Sequence, residues 1–137
     1  MTEDNRVANA RAEAALGDDA LQAANALLRL GLHNDAISRA YYAAFHYARA
    51  LLLLDGLEPK THRGVISLLL ERYEKTGRLE PGAVSVVARL QTFRGLADYD
   101  ARERIPKERA VAEVAAAENF VEKARPLLRA PTATDGD

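Results

Sequence analysis

The sequence predicts an all-α fold, a helical bundle without strands. Alanine and leucine dominate it while β-branched residues are sparse, and apolar residues recur three and four apart nearly everywhere. The third observation is where the pattern breaks: at Gly31-Leu32-His33-Asn34, at Asp55-Gly56-Leu57-Glu58-Pro59, from Gly77 to Gly82 and from Asp100 to Pro106. Each break carries the Gly, Pro or Asn that ends helices. The chain has 137 residues, 48% of them hydrophobic, which fits one domain with a continuous core.

These breaks divide the chain into five helices. The first runs from Asp4 to Leu30, and Gly17 inside it costs about 1 kcal/mol relative to alanine, which leaves a bend or an interruption open there. The second spans Asn34 to Leu54, the third Thr61 to Lys75, the fourth Gly82 to Tyr99 and the fifth Pro106 to Leu128. Thr61 suits an N-cap and Pro106 a first helical turn. In the fifth helix Ala110, Ala117 and Ala124 align with Val114, Phe120, Val121, Leu127 and Leu128 as one packed face. Lys107, Glu108, Glu113, Glu118, Glu122 and Lys123 are expected to face solvent. The domain covers residues 1–129, and the tail 130–137 has nothing to bury and is expected to be disordered.

Composition excludes several classes of function. Net charge is −1, from 19 basic and 20 acidic residues, so any nucleic-acid contact must be local rather than the work of a uniform basic field. There is no cysteine for disulfide or thiolate chemistry. No window approaches the roughly 20 apolar residues of a membrane span. The polar start Met-Thr-Glu-Asp-Asn-Arg does not resemble a secretion signal, and a cytoplasmic location is expected. His33, His46 and His62 lack a second histidine or carboxylate at the spacing of a helix-borne metal site, so neither metal nor cofactor is expected.

The second helix is apolar on three sides, through Ala36, Ile37, Ala40, Tyr41, Ala44, Phe45, Tyr47, Ala48, Leu51 and Leu52, which marks it as the central helix of the bundle. One line along it is polar. Asp35, Arg39, Tyr42, His46 and Arg49 follow one another three or four residues apart and so share one stripe. The stripe is either a solvated surface with weak ion pairs or a polar seam for a second subunit or a phosphate-bearing ligand, since guanidiniums, an imidazole and a phenol both stack and donate hydrogen bonds. At Pro59-Lys60-Thr61-His62-Arg63-Gly64, Lys60, His62 and Arg63 surround a helix start, where ordinary capping and anion binding are both open. Arg94 follows a core stripe of Ala83, Val86, Leu90 and Phe93, and its simplest role is an exposed ion pair with Asp98 one turn on.

In three places, Ser38-Arg-Ala-Tyr-Tyr-Ala-Ala-Phe-His46, Gly56-Leu-Glu-Pro-Lys-Thr-His-Arg-Gly-Val65 and Ala97-Asp-Tyr-Asp100, the chain resembles the small stand-alone bacterial and archaeal HEPN proteins (UPF0332-like), over about Asp18 to Leu128. HEPN stands for higher eukaryotes and prokaryotes nucleotide-binding. The resemblance implies an antiparallel bundle of four to five helices and a homodimer. Many members of the wider family are metal-independent RNases that use an arginine followed, four to six residues later, by a histidine at the dimer interface. Carried over, the arginine is Arg94, and the histidine would fall at Tyr99, Asp100 or Ala101, none of which is histidine. A histidine titrates at about 6.5 and exchanges protons near neutral pH, whereas a tyrosine at about 10 stays protonated.

Such proteins are often encoded beside a minimal nucleotidyltransferase in a toxin–antitoxin-like pair, in which the transferase can attach AMP to a tyrosine near the motif. Tyr99 is the candidate acceptor, although the modified tyrosine in those systems follows the motif histidine by two positions. The resemblance thus implies a non-catalytic or weakly catalytic protein that dimerises and partners a nucleotidyltransferase. Two other readings remain open. One is an RNase in which Arg94, with Asp98 or Tyr99 and with His46 or His62 from another helix, assembles a non-standard site. The other is a binder of nucleotide or another phosphate-bearing ligand along the second-helix stripe. A homodimer is the shared expectation, because the second helix carries more apolar surface than one layer of neighbours readily covers. Light scattering at micromolar concentration should return twice the chain mass, and a monomer mass would show that the association surface has been misassigned.

Overall fold

A computed structural model describes residues 2–99 and 104–135 of the chain, with side chains placed at 2–98 and 104–129. Its helices are α1 (Glu3–Arg29), α2 (His33–Leu54), α3 (His62–Leu69), α4 (Ala83–Tyr99) and α5 (Lys107–Asp135), and a π-helical turn, Leu70–Glu74, continues α3. No strand occurs among the described residues. The Thr2 side chain caps α1 by accepting from the Asn5 amide at 3.1 Å, and Thr61 caps α3 by accepting from Gly64 at 2.9 Å. Both α1 and α2 end in the same way. Gly31 and Gly56 take φ near +80°, and the following amides of Leu32 and Leu57 bond back to Leu27 and Leu52, a closure that a side chain at the glycine would strain.

Helix α2 lies at the centre and packs against α1, α3, α4 and α5. Fourteen of its residues are buried, from Ala36 to Leu54. Its own chain therefore covers the apolar surface from which a dimer was argued above, and that argument is corrected; the large exposed apolar side chains are Leu16, Leu30, Leu32, Leu70, Leu96 and Val111. The α1–α2 contact is close because of small residues. Helix α1 runs unbroken through Gly17, where a Cβ would lie 2.6 Å from the Tyr47 ring and 3.1 Å from the Ala43 carbonyl oxygen. At Gly17 the helix is not interrupted; the glycine marks a close approach.

Three further differences follow from packing. The third helix was expected as one α-helix to Lys75; its last part widens into the π turn, within which buried Tyr73 donates its hydroxyl to the Leu51 carbonyl at 2.8 Å. Glu113, expected on a solvated face, is only 1% exposed and receives Arg89 at 3.0 Å and Arg109 at 3.2 Å, so a buried carboxylate clamps α5 to α4. Helix α5 extends beyond Leu128 to Asp135, across most of the tail expected to be disordered; Pro126 and Pro131 remove amide donors without ending it, and residues 136–137 lie outside the described residues.

Two glycines give opposite expectations. Gly17→Ala should destabilise the fold by about 1–3 kcal/mol despite alanine's better helix propensity, because the methyl collides with Tyr47 and the α2 backbone. Gly95→Ala in α4 meets nothing within 4 Å among the described residues and should stabilise by up to about 1 kcal/mol. Urea unfolding of both variants checks this, and a neutral Gly17→Ala would contradict the packing described here.

Candidate functional site

The site forms where α2, the start of α3 and the end of α4 meet. Arg94 is only 17% exposed, and its guanidinium lies over the rings of Tyr41 at 5.6 Å and Tyr42 at 5.2 Å. Its Nε–H donates to Oδ2 of Asp98 at 3.1 Å, while Oδ1 of the same carboxylate accepts from the Ser38 hydroxyl. The exposed Arg94–Asp98 pair expected from sequence is present, and Ser38 ties its carboxylate to α2. The α4 end is held near α2 by the chain that follows it, since the Ile105 amide donates to the Asn34 side chain at 3.0 Å and Ile105 packs with Ile37.

His62 enters from the first turn of α3. Its ring stacks on Phe45 with centroids 4.3 Å apart, and its Nδ1 lies 2.6 Å from the hydroxyl of Tyr41. Tyr41 is fully buried. Burial pushes its phenol well above the ordinary range, only partly opposed by the Arg94 cation. Burial also lowers the His62 pKa, and Arg94 and His46 add to this by disfavouring a second positive charge nearby. His62 is therefore a neutral imidazole at neutral pH, in contact with a protonated phenol.

The polar stripe on α2 is real, and its members divide. Asp35 and Arg39 are exposed, and Tyr42, His46 and Arg49 are partly so. Arg39 lies over the Tyr42 ring at 4.9 Å, and with Asp35, Ser38, Leu27 and Asp98 these two line an open cleft of about 440 Å³ beside Arg94. His46 and Arg49 turn toward α1 instead, where Glu13 accepts from His46 at 2.7 Å and stands 4.0 Å from Arg49. Of the three basic residues around the α3 start, only His62 joins the cluster, and Lys60 and Arg63 are exposed. Tyr99 is the last residue of α4; its side chain, and the motif positions Asp100 and Ala101, lie outside the described residues.

The sequence reading missed Ser38, Tyr41 and Phe45 as members of the site, treating the two aromatics as core. A signal was present, because a tyrosine on a buried face must pair its hydroxyl with something. Among the described residues no set of three His, Cys, Asp or Glu side chains gathers as a metal site, and no helix is long and apolar enough to cross a membrane.

The lowered His62 pKa has a consequence for stability. Below about pH 6.5 the unfolded chain takes up a proton on this residue that the folded chain refuses, so stability should fall as pH falls from about 6.5 toward the folded pKa. The fall should be shallower in His62→Gln. Urea midpoints measured between about pH 5 and 8 check this, and parallel curves for the two proteins would contradict the burial of a neutral ring.

The model of the HEPN domain matches residues 14–129. A protein of Methanocaldococcus jannaschii named "putative toxin" is 34% identical over 114 residues, covering 83% of this chain and 84% of that one. A UPF0332 protein of Archaeoglobus fulgidus is 38% identical over 105 residues, covering 77% and 83%. A second M. jannaschii protein with the toxin name is 33% identical over 93 residues, covering 68% and 63%. The chain belongs to the HEPN domain family.

Proposed function

We propose that this protein is the toxin-like member of a two-gene pair: a HEPN homodimer that cleaves RNA slowly or not at all and is partnered by a minimal nucleotidyltransferase. The observation that carries the reading is the identity of the motif positions. Tyr99, Asp100 and Ala101 stand where a proton-exchanging histidine is needed after Arg94, and none of them exchanges protons efficiently near neutral pH. Arg94 keeps its place and its cation, so the site retains phosphate-directed charge without the usual base. The toxin names of two M. jannaschii relatives support the setting.

An RNase with a non-standard site is the second reading, and one observation favours it: the cluster around Arg94 contains an imidazole after all, that of His62, from another helix. The two readings separate in one assay. Purified protein incubated with RNA in chelator should leave the RNA essentially intact; robust cleavage that disappears in Arg94→Ala would establish the enzyme instead. Co-expression with a nucleotidyltransferase encoded beside the gene should give a complex, and with ATP should place AMP on Tyr99, read by peptide mass spectrometry. AMP on Tyr42 or Tyr73, or on no tyrosine, would remove Tyr99 as the acceptor.

A further inference from the structure

We propose that the exposed stripe at the start of α2 is the face on which two copies of this chain associate, antiparallel across a twofold axis, and that each copy's Arg39 completes the cleft of the other. The proposal rests on the homodimer reading and supplies it with a surface.

Leu32, Asp35, Arg39 and Tyr42 follow one another at spacings of three, four and three residues, so they share one face of α2 and of the turn before it. Within α2 only Asp35 and Arg39 are exposed, and they carry opposite charges one turn apart. They do not pair with each other. Arg39 lies over the Tyr42 ring at 4.9 Å, and among the described residues Asp35 has no hydrogen bond or ion pair. Both charges are open to a second molecule.

The order of the four residues is self-complementary. When the face meets its own copy antiparallel, with the axis midway between Asp35 and Arg39, Asp35 lies opposite the partner's Arg39 and Arg39 opposite the partner's Asp35. Leu32 precedes Asp35 by the same three residues by which Tyr42 follows Arg39, so Leu32 then lies opposite the partner's Tyr42, and Tyr42 opposite the partner's Leu32. A parallel pair in register would set like charges against each other at both places. The charges therefore select one orientation.

The surroundings suit this pairing. Leu27, Ser38 and Asp98 form the walls of the open cleft in which Asp35, Arg39 and Tyr42 stand, and the partner's Arg39 enters that cleft toward Asp35. Leu32 is 47% exposed and Leu30, beside it at the turn, is 72% exposed. Exposed ion pairs contribute little affinity one by one, so these leucines supply apolar contact while the charges set the register. Such a seam needs nothing from the apolar faces of α2 that its own chain covers.

Sedimentation velocity over a dilution series of the full-length chain tests the pairing, with circular dichroism showing that each variant folds. Wild type should be a dimer. Arg39→Glu sets carboxylate against carboxylate at both contacts, and Asp35→Lys sets cation against cation, so each variant alone should have a dimer dissociation constant raised about tenfold or more. Mixed in equal amounts, the two variants bring opposite charges together at both contacts and should form a one-to-one dimer about as tight as wild type. A monomeric wild type defeats the homodimer reading itself. A wild-type dimer that neither variant weakens, or that both weaken without recovery on mixing, leaves that reading standing, assigns this face to another partner and overturns the proposal.

Discussion

Because α2 is enclosed by its own chain, the buried hydroxyls of its tyrosines need partners on other helices, and Tyr47 and Tyr41 both find them. Tyr47 donates to Asp18 of α1 at 2.6 Å, and Arg125 of α5 reaches the same carboxylate at 2.9 Å, so one buried phenol ties three helices together. Tyr41 does the same toward α3 through His62. Small residues make the enclosure tight enough for these bonds to form, and Gly17 against Tyr47 is the closest example. The aromatic hydroxyls then fix how the outer helices sit, because unpaired they would cost more than a net hydrogen bond contributes.

The same enclosure sets the electrostatics of the site. A guanidinium that is mostly buried keeps its charge only with compensation, which Asp98 and the two tyrosine rings provide. That charge in turn works against a second cation at His62. The cluster therefore combines an Arg94–Asp98 ion pair with neutral hydrogen-bonding groups, Ser38, Tyr41 and His62.

Much of the fold could be read from the sequence because helix periodicity and terminal glycines are local signals. The breaks at Gly31 and Gly56 became helix ends with φ near +80°, and Thr61 became the cap that was expected. What escaped was non-local. Gly17 reads as a weak point in a helix until Tyr47, thirty residues away in the sequence, is seen against it. Glu113 reads as solvated until two arginines are placed around it. At the site, Arg94, Asp98, Tyr42 and His62 were singled out from separate stretches, yet nothing in their spacing said that three of the four would share Tyr41 as a neighbour or its contacts. Three separate motifs were recognisable; that Ser38 and Phe45 of the first, His62 of the second and Asp98 of the third meet around Arg94 and Tyr41 required the tertiary structure.

Arg94 and His62 belong to one electrostatic unit although they lie on different helices. NMR titration of the His62 ring protons, in wild type and in Arg94→Gln, measures this directly. The account predicts that His62 titrates below the ordinary value of 6.5 in wild type and moves upward when the Arg94 charge is removed. An unshifted His62 in wild type, or one indifferent to Arg94→Gln, would contradict it.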